Sequence, residues 1–220
     1  MDVAGYSKTF ALDQGTILGN DQVFQSLYNA PTSDPKRQGI CTGLSMIWLA
    51  RRMMFHSETA EQRRDALFTT AAFRWGGKTQ DIHRGAGTGG SDVAGQLAQM
   101  YGEALRAFAL RVNSGNCKAE FSNDFRKLAD CATDIADQTG CYALWNIGLS
   151  TTTGDAGHMV ASYMSHGSLV GGKHFYFFDP NMGEYRISAK DSYDFTWNMF
   201  EAYANTFLGV RYVAVFEVIR

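Results

Sequence analysis

The sequence predicts an α+β fold, with a helical N-terminal half packed on a C-terminal antiparallel sheet. Three observations predict it. Apolar residues between Cys41 and Phe55 recur at helical spacing. After Gly140 the chain breaks into short aromatic and apolar runs separated by Gly, Ser and Asp, which read as strands. The helical segments come first and the strands second, without the alternation that a doubly wound parallel sheet requires.

Bulk properties bound the problem. With 220 residues, 45% of them hydrophobic, the chain can bury one sizeable core, and a single domain over 1–220 is expected. No internal repeat, low-complexity tract or linker divides it. A net charge of −2 and a pI near 6.2 call for neither nucleic acid nor an anionic membrane as partner. The opening MDVAGYSKTFALDQG has no basic stretch leading into an apolar core, so no general secretory leader is expected. No apolar run reaches the length of about 18 residues that a membrane span needs. Cys41, Cys117, Cys131 and Cys141 are scattered with no CxxC pair. A disulfide framework and a zinc site are both unsupported, and the four read as reduced thiols. No cofactor is implied.

The elements follow in order. Residues 1–38 are polar and turn-rich and are expected to form an N-terminal segment that can be removed. From Cys41 to Phe55, apolar residues at 44, 47, 48 and 54 predict a helix. A second helix is expected over 58–75, where Ser57 and Glu61 lie four apart and give an acidic start, not a strict capping box. Residues 76–92, GGKTQDIHRGAGTGGSD, read as a glycine-rich loop. Helices are expected over 92–112 and 121–137. Then CYALWNIGLS, GHMVASYMS and KHFYFFDP read as strands, with YRIS as a fourth. A helix over 191–206 and a last strand, VRYVAVFEVIR, complete the chain.

Three short segments carry chemistry. Cys41 lies in GICTG at the first turn of the predicted helix. Unsatisfied N–H groups and the positive end of the dipole there favour thiolate over thiol, although a buried structural cysteine would look similar. GxCxG also matches a nucleophile elbow, but that turn needs an apolar strand before it, and APTSDPKRQG is none. His158 opens an apolar strand in GHMVA, where its near-neutral pKa suits a general base; a strand-end histidine bonded to a carbonyl is the plainer alternative. His56 and His83 sit in polar surroundings, and His166 and His174 lack a partner motif. Asp179 ends the aromatic strand in FFDPNMGEY, placed to accept the histidine N–H, while the same residues are also turn chemistry.

Together the three are more specific than any one. His158 follows Cys41 by 117 residues and Asp179 follows His158 by 21. A nucleophile on a helix in one half, with base and orienting carboxylate on the sheet of the other, is the papain arrangement. The blocks GICTGLSMIWL, GHMVA and FFDPNMGEY resemble those of the YopT/AvrPphB family of bacterial effector cysteine proteases, in order over residues 38–190. The resemblance implies a papain-like fold and a triad of Cys41, His158 and Asp179. It also implies delivery into host cells by a bacterial specialised secretion system and cleavage of a host protein substrate; a secretion chaperone is a further partner it allows. Two departures stand out. The oxyanion-hole amide of papain-like enzymes usually lies five or six residues before the cysteine; Gln38, at three, is the only amide close by, so the hole is expected to use Gln38, or only the Cys41 backbone N–H with another group. The stretch SHGSLVGGK also lengthens the segment between histidine and aspartate.

Other readings stay open. The same triad serves a glutamine deamidase, an acyltransferase or a cell-wall amidase of the NlpC type, and a non-catalytic binding module can use the same fold. GAGTGG at 85–90 lacks the Lys-Ser/Thr ending of a phosphate-binding loop. Cys117, Cys131 and Cys141 read as packed small hydrophobes, and Trp48 and Trp145 as core.

Overall fold

A seven-stranded antiparallel sheet, ordered β1-β6-β5-β4-β3-β7-β2, carries helices on both faces. The computed structural model describes residues 1–87, 89–167 and 172–220. The chain runs β1 (Lys8–Ala11), α1 (Gln14–Gly19), α2 (Asp21–Tyr28), a 3-10 turn (Pro35–Gln38), α3 (Cys41–Met54), α4 (Ala60–Leu67), α5 (Thr70–Gly85) and α6 (Val93–Arg106). It continues with β2 (Arg111–Phe121), α7 (Phe125–Ala136), β3 (Tyr142–Thr151), β4 (Gly154–Met164), β5 (His174–Asp179), β6 (Gly183–Ser188), α8 (Ser192–Thr206) and β7 (Gly209–Ile219). The α+β, papain-like architecture expected from the sequence is the one observed.

Helix α3 is the centre of the helical half. Leu44, Trp48 and Leu49 are fully buried, and Trp48 stacks on Phe178 of β5 with ring centroids 5.6 Å apart. The opposite face of the sheet is sealed by α7 and α8, where Leu128, Phe195 and Phe200 pack on Trp145, Phe175 and Phe177. Each such large side chain contributes about 1.5–3 kcal/mol by leaving water. Both tryptophans are core, as their sequence contexts suggested. A buried ion pair ties the layers: Arg63 of α4 donates from Nε to Glu184 Oε2 (2.7 Å) and from Nη2 to Oε1 (2.8 Å). Trp48 Nε1 and Thr9 Oγ1 donate to the same carboxylate.

Several boundaries depart from expectation. The predicted 58–75 helix is two helices, and α4 does begin with a capping box, between Thr59 and Gln62. The predicted loop 76–92 is helical as far as Gly85. Gly76 and Gly77 lie inside α5 where neighbouring elements crowd it: a Cβ on Gly43 of α3 would sit 2.0 Å from the Gly76 carbonyl oxygen, and a Cβ on Gly77 would sit 2.6 Å from the Tyr28 ring of α2. The predicted 92–112 helix stops at Arg106; Ala109 turns with φ 57°, and the chain enters β2, whose register shifts between Val112 and Cys117. A bulged edge strand has no clean alternation to read.

Residues 1–38 are built into the fold. β1 pairs with β6, and Leu18 and Phe24 are fully buried. Taking the segment away would uncover their partners. No helix among the described residues is long and apolar enough to cross a membrane.

Candidate active site

Cys41 is the first residue of α3. Its N-cap, Ile40, offers no side-chain acceptor, so the first-turn N–H groups stay open to other partners. Two buried glutamines take the N–H groups on either side of Cys41. Gln14 Oε1 accepts from Ile40 N (2.9 Å), and Gln80 Oε1 accepts from Thr42 N (3.0 Å). The Cys41 N–H between them meets no acceptor among the described residues. Because an N–H can only donate, each contact fixes which end of the amide is oxygen. Gln14 Nε2 then donates to Asn181 Oδ1 (3.0 Å), and Gln14 N donates to the Pro180 carbonyl (2.9 Å), clamping the start of α3 to the turn after β5.

The thiol faces the His158 imidazole and the backbone N–H groups of Met159 and Thr42. Burial pushes the thiol up, but the bond and charge of His158, together with those N–H groups, outweigh it and hold Cys41 below the ordinary thiol range. The other cysteines move the opposite way: burial raises Cys117, lifts Cys131 to about 11 and lifts Cys141 to about 12. His158 donates from Nε2 to Asp179 Oδ1 (2.9 Å), which leaves Nδ1 for the sulfur. Burial pulls the imidazole down, but the Asp179 charge and bond, with the Cys41 contact, push it up to about 10. Asp179 is fully buried and accepts three donors: His158 Nε2, the Asn181 backbone N–H at 2.6 Å, and the Tyr203 hydroxyl at Oδ2. Burial raises this carboxyl, but the His158 charge and these donors hold it below the usual carboxylate value.

Cys41 and His158 meet at an open strand edge. Met159 presents its N–H to the thiol, and its carbonyl accepts from Ser45 Oγ (2.9 Å), so its polar groups point away from β3. Met164, of the opposite parity, turns toward the β3 side and pairs with Cys141. In an antiparallel ladder this alternation carries the outward orientation back to Gly157 and Asp155. Strand β5 pairs with β4 only from Ala161 onward, so among the described residues Gly157 and Asp155 have no strand partner on that side, and Gly157 lines the cleft with Cys41.

The structure thus brings Cys41, His158 and Asp179 together. Gln38 lies elsewhere: its side chain is exposed on the 3-10 turn, outside the cleft of about 150 Å³ that Cys41, Gln80, His83, Tyr101, Asn146 and His158 line. Sequence reasoning missed Gln14, Gln80, Tyr203 and His83. No local motif marks the first three. His83 looked polar by context, yet it stacks on Tyr101 (4.6 Å) and donates from Nδ1 to the Met100 carbonyl, and burial lowers its pKa. Among the described residues no His, Cys, Asp or Glu cluster could hold a metal. The lengthened stretch between histidine and aspartate includes 168–171, and GAGTGG includes Thr88; both places lie outside the described residues.

Solved structures of two other proteins align with the chain. The Pseudomonas avirulence protein AvrPphB has a similar fold, with a TM-score of 0.64 at 18% identity, over 84% of this chain and 94% of that one. PatoxP, a cysteine protease-like domain of the Photorhabdus asymbiotica toxin PaTox, aligns with a TM-score of 0.35 at 13% identity, over 87% of this chain and 51% of that one. No curated protein sequence matches the chain. The family described as Yersinia/Haemophilus virulence surface antigen, Peptidase_C58, matches residues 20–208, and the chain belongs to that family.

Proposed function

We propose that the chain is a cysteine peptidase, with Cys41 as nucleophile, His158 as general base and acid, and Asp179 as the carboxylate that orients His158. The observation that carries this reading is that Cys41 and His158 line one cleft, with His158 bonded to the buried Asp179, which Tyr203 also holds. The Cys41 thiolate attacks a peptide carbonyl, and the C–S bond forms as the carbonyl π electrons move to oxygen. The Cys41 N–H stabilises that oxyanion. Gln80, whose Nε2 is the free end of an amide in the cleft, is the side-chain donor in place of Gln38. His158 gives its Nδ1 proton to the leaving amine as the C–N bond breaks. It then takes a proton from water, which hydrolyses the thioester and returns the thiolate.

The open edge of β4 favours a polypeptide over a small amide. Gly157 and Asp155 can pair with an extended backbone and hold a scissile bond over Cys41. A glutamine deamidase or acyltransferase would use the same attack but has no need of a strand edge. Membership of a virulence family supports action on a host protein after delivery by a bacterial specialised secretion system, with a secretion chaperone as a further partner.

Labelling with the epoxide thiol probe E-64 tests the centre. Wild type should label at Cys41, and Cys41→Ser and His158→Ala should not. Equal labelling of Cys41 and Cys117 by iodoacetamide at neutral pH would remove the activated thiolate. Intact-mass analysis of a candidate substrate separates the chemistries, since cleavage yields two fragments and deamidation adds about one dalton to an intact chain.

A further inference from the structure

The cleft does not end at the triad. Gly157 and Tyr212 belong both to the catalytic cleft and to a second, larger groove of about 560 Å³. That groove runs over the ends of β4, β3 and β7 to the end of β2, and its walls include Phe121, Leu149, Ala156 and Val210. Its floor exists because Gly148 has no side chain: the Tyr212 ring lies over it, and a Cβ there would be 2.1 Å from the ring. Phe121 stands on the far wall, 5.4 Å from Tyr212 between ring centroids, and is 75% exposed. A phenylalanine that open, beside a cleft, leaves a large apolar surface in water that an occupant would cover. The charged residues of the lining, Asp155 and Arg211, pair with each other, so the groove has no net sign.

We propose that this groove is the subsite for a bulky apolar side chain of the polypeptide substrate, aromatic or long aliphatic, with Phe121 and Tyr212 as the residues that select it. The inference rests on the peptidase reading, which supplies the backbone of the same chain at Gly157. The occupant is a substrate residue close to the scissile bond, because Gly157 is shared by the cleft and the groove and is the residue next to His158. An acidic or basic side chain would gain no unpaired partner there.

The test is digestion of a peptide library by the full chain, with cleavage sites read by mass spectrometry, for wild type, Phe121→Leu and Phe121→Asp. Phe121 ends an edge strand and is mostly exposed, so both variants should fold. Iodoacetamide alkylation of Cys41, which needs no subsite, is measured in parallel. The expected result is an aromatic or long aliphatic preference at one fixed position near the cleaved bond. Phe121→Leu keeps it, and Phe121→Asp loses about tenfold or more in kcat/KM for such peptides, mainly through KM, with alkylation unchanged. Cleavage without an apolar preference, or an unaltered profile in Phe121→Asp, overturns the subsite and leaves the peptidase standing. Fast alkylation of Cys41 without cleavage of any peptide overturns the peptidase reading, and the subsite with it.

Discussion

Tyr203→Phe isolates one bond in the site. The Tyr203 hydroxyl donates to Asp179 Oδ2, and both groups are fully buried. The ring itself packs edge-on against His158, with centroids 5.7 Å apart, and phenylalanine keeps that contact. What is lost is a hydrogen bond to a charged acceptor, together with the satisfaction of a carboxylate oxygen that no water can reach. Such a bond is worth about 1.5–3 kcal/mol. At roughly 2–4 °C per kcal/mol for a chain of this size, the melting temperature should fall by about 3–12 °C. The pH dependence gives the sharper test. Asp179 has its folded pKa lowered, so its contribution to stability is present above the unfolded value of about 3.9 and is lost as pH falls through the folded value. The difference between wild type and variant should therefore be full at neutral pH and should shrink in acid. Melts at several pH values, with alkylation of Cys41 followed in parallel, measure both. A Tyr203→Phe defect of the same size in acid as at pH 7 would refute the assignment of the hydroxyl to the ionised carboxylate.

The same geometry makes other outcomes definite. Alkylation of Cys41 should already be fast below the ordinary thiol range, and peptidase activity should fall on the alkaline side as His158 loses its proton through about pH 10; a rate that keeps rising past that point contradicts a thiolate–imidazolium pair. His158, with its folded pKa raised, adds stability that is complete below its unfolded value of 6.5 and is lost as pH climbs toward about 10. Among the amides, Gln80→Ala should cost about 10²–10³ in kcat and Gln38→Ala less than about threefold; a large loss from Gln38→Ala restores the sequence expectation. Arg63→Met leaves Glu184 buried without its ion pair and should destabilise by about 3–5 kcal/mol, read from denaturant melts.

The helix that begins at Cys41 and the strands that carry His158 and Asp179 were legible in the sequence because each is continuous and strongly patterned. Cys41 opens α3 and Asp179 ends β5, while His158 lies four residues inside β4, just ahead of its buried apolar run. What stayed hidden depends on contacts between distant residues. Gly76 and Gly77 read as loop because the elements packed against them, α3 at Gly43 and α2 at Tyr28, lie more than thirty residues away. β1 is four residues long, and only its pairing with β6 defines it. Gln14 and Gln80 flank Cys41 from α1 and α5, and nothing in their neighbours distinguishes them from surface amides. Tyr203 lies on α8 in a run that predicts only a helix.

The block FFDPNMGE explains why chemistry and fold cannot be separated here. Phe178 stacks on Trp48 of the nucleophile helix, Asp179 holds His158, and Glu184 binds Arg63 and Trp48. Between them, Pro180 and Asn181 receive Gln14, which also holds the peptide N–H next to Cys41. One hairpin therefore sets the position of Cys41 from two directions and the orientation of His158 from a third. Gln14 is the link that comes from the first 38 residues, so cutting that segment away should loosen the Cys41 side of the cleft even if the sheet survives. Gln14→Ala in the full chain separates the two effects. Slowed alkylation with a melting temperature near wild type would place the loss in positioning, whereas unfolding without a selective loss of alkylation would place it in the core around Leu18 and Phe24.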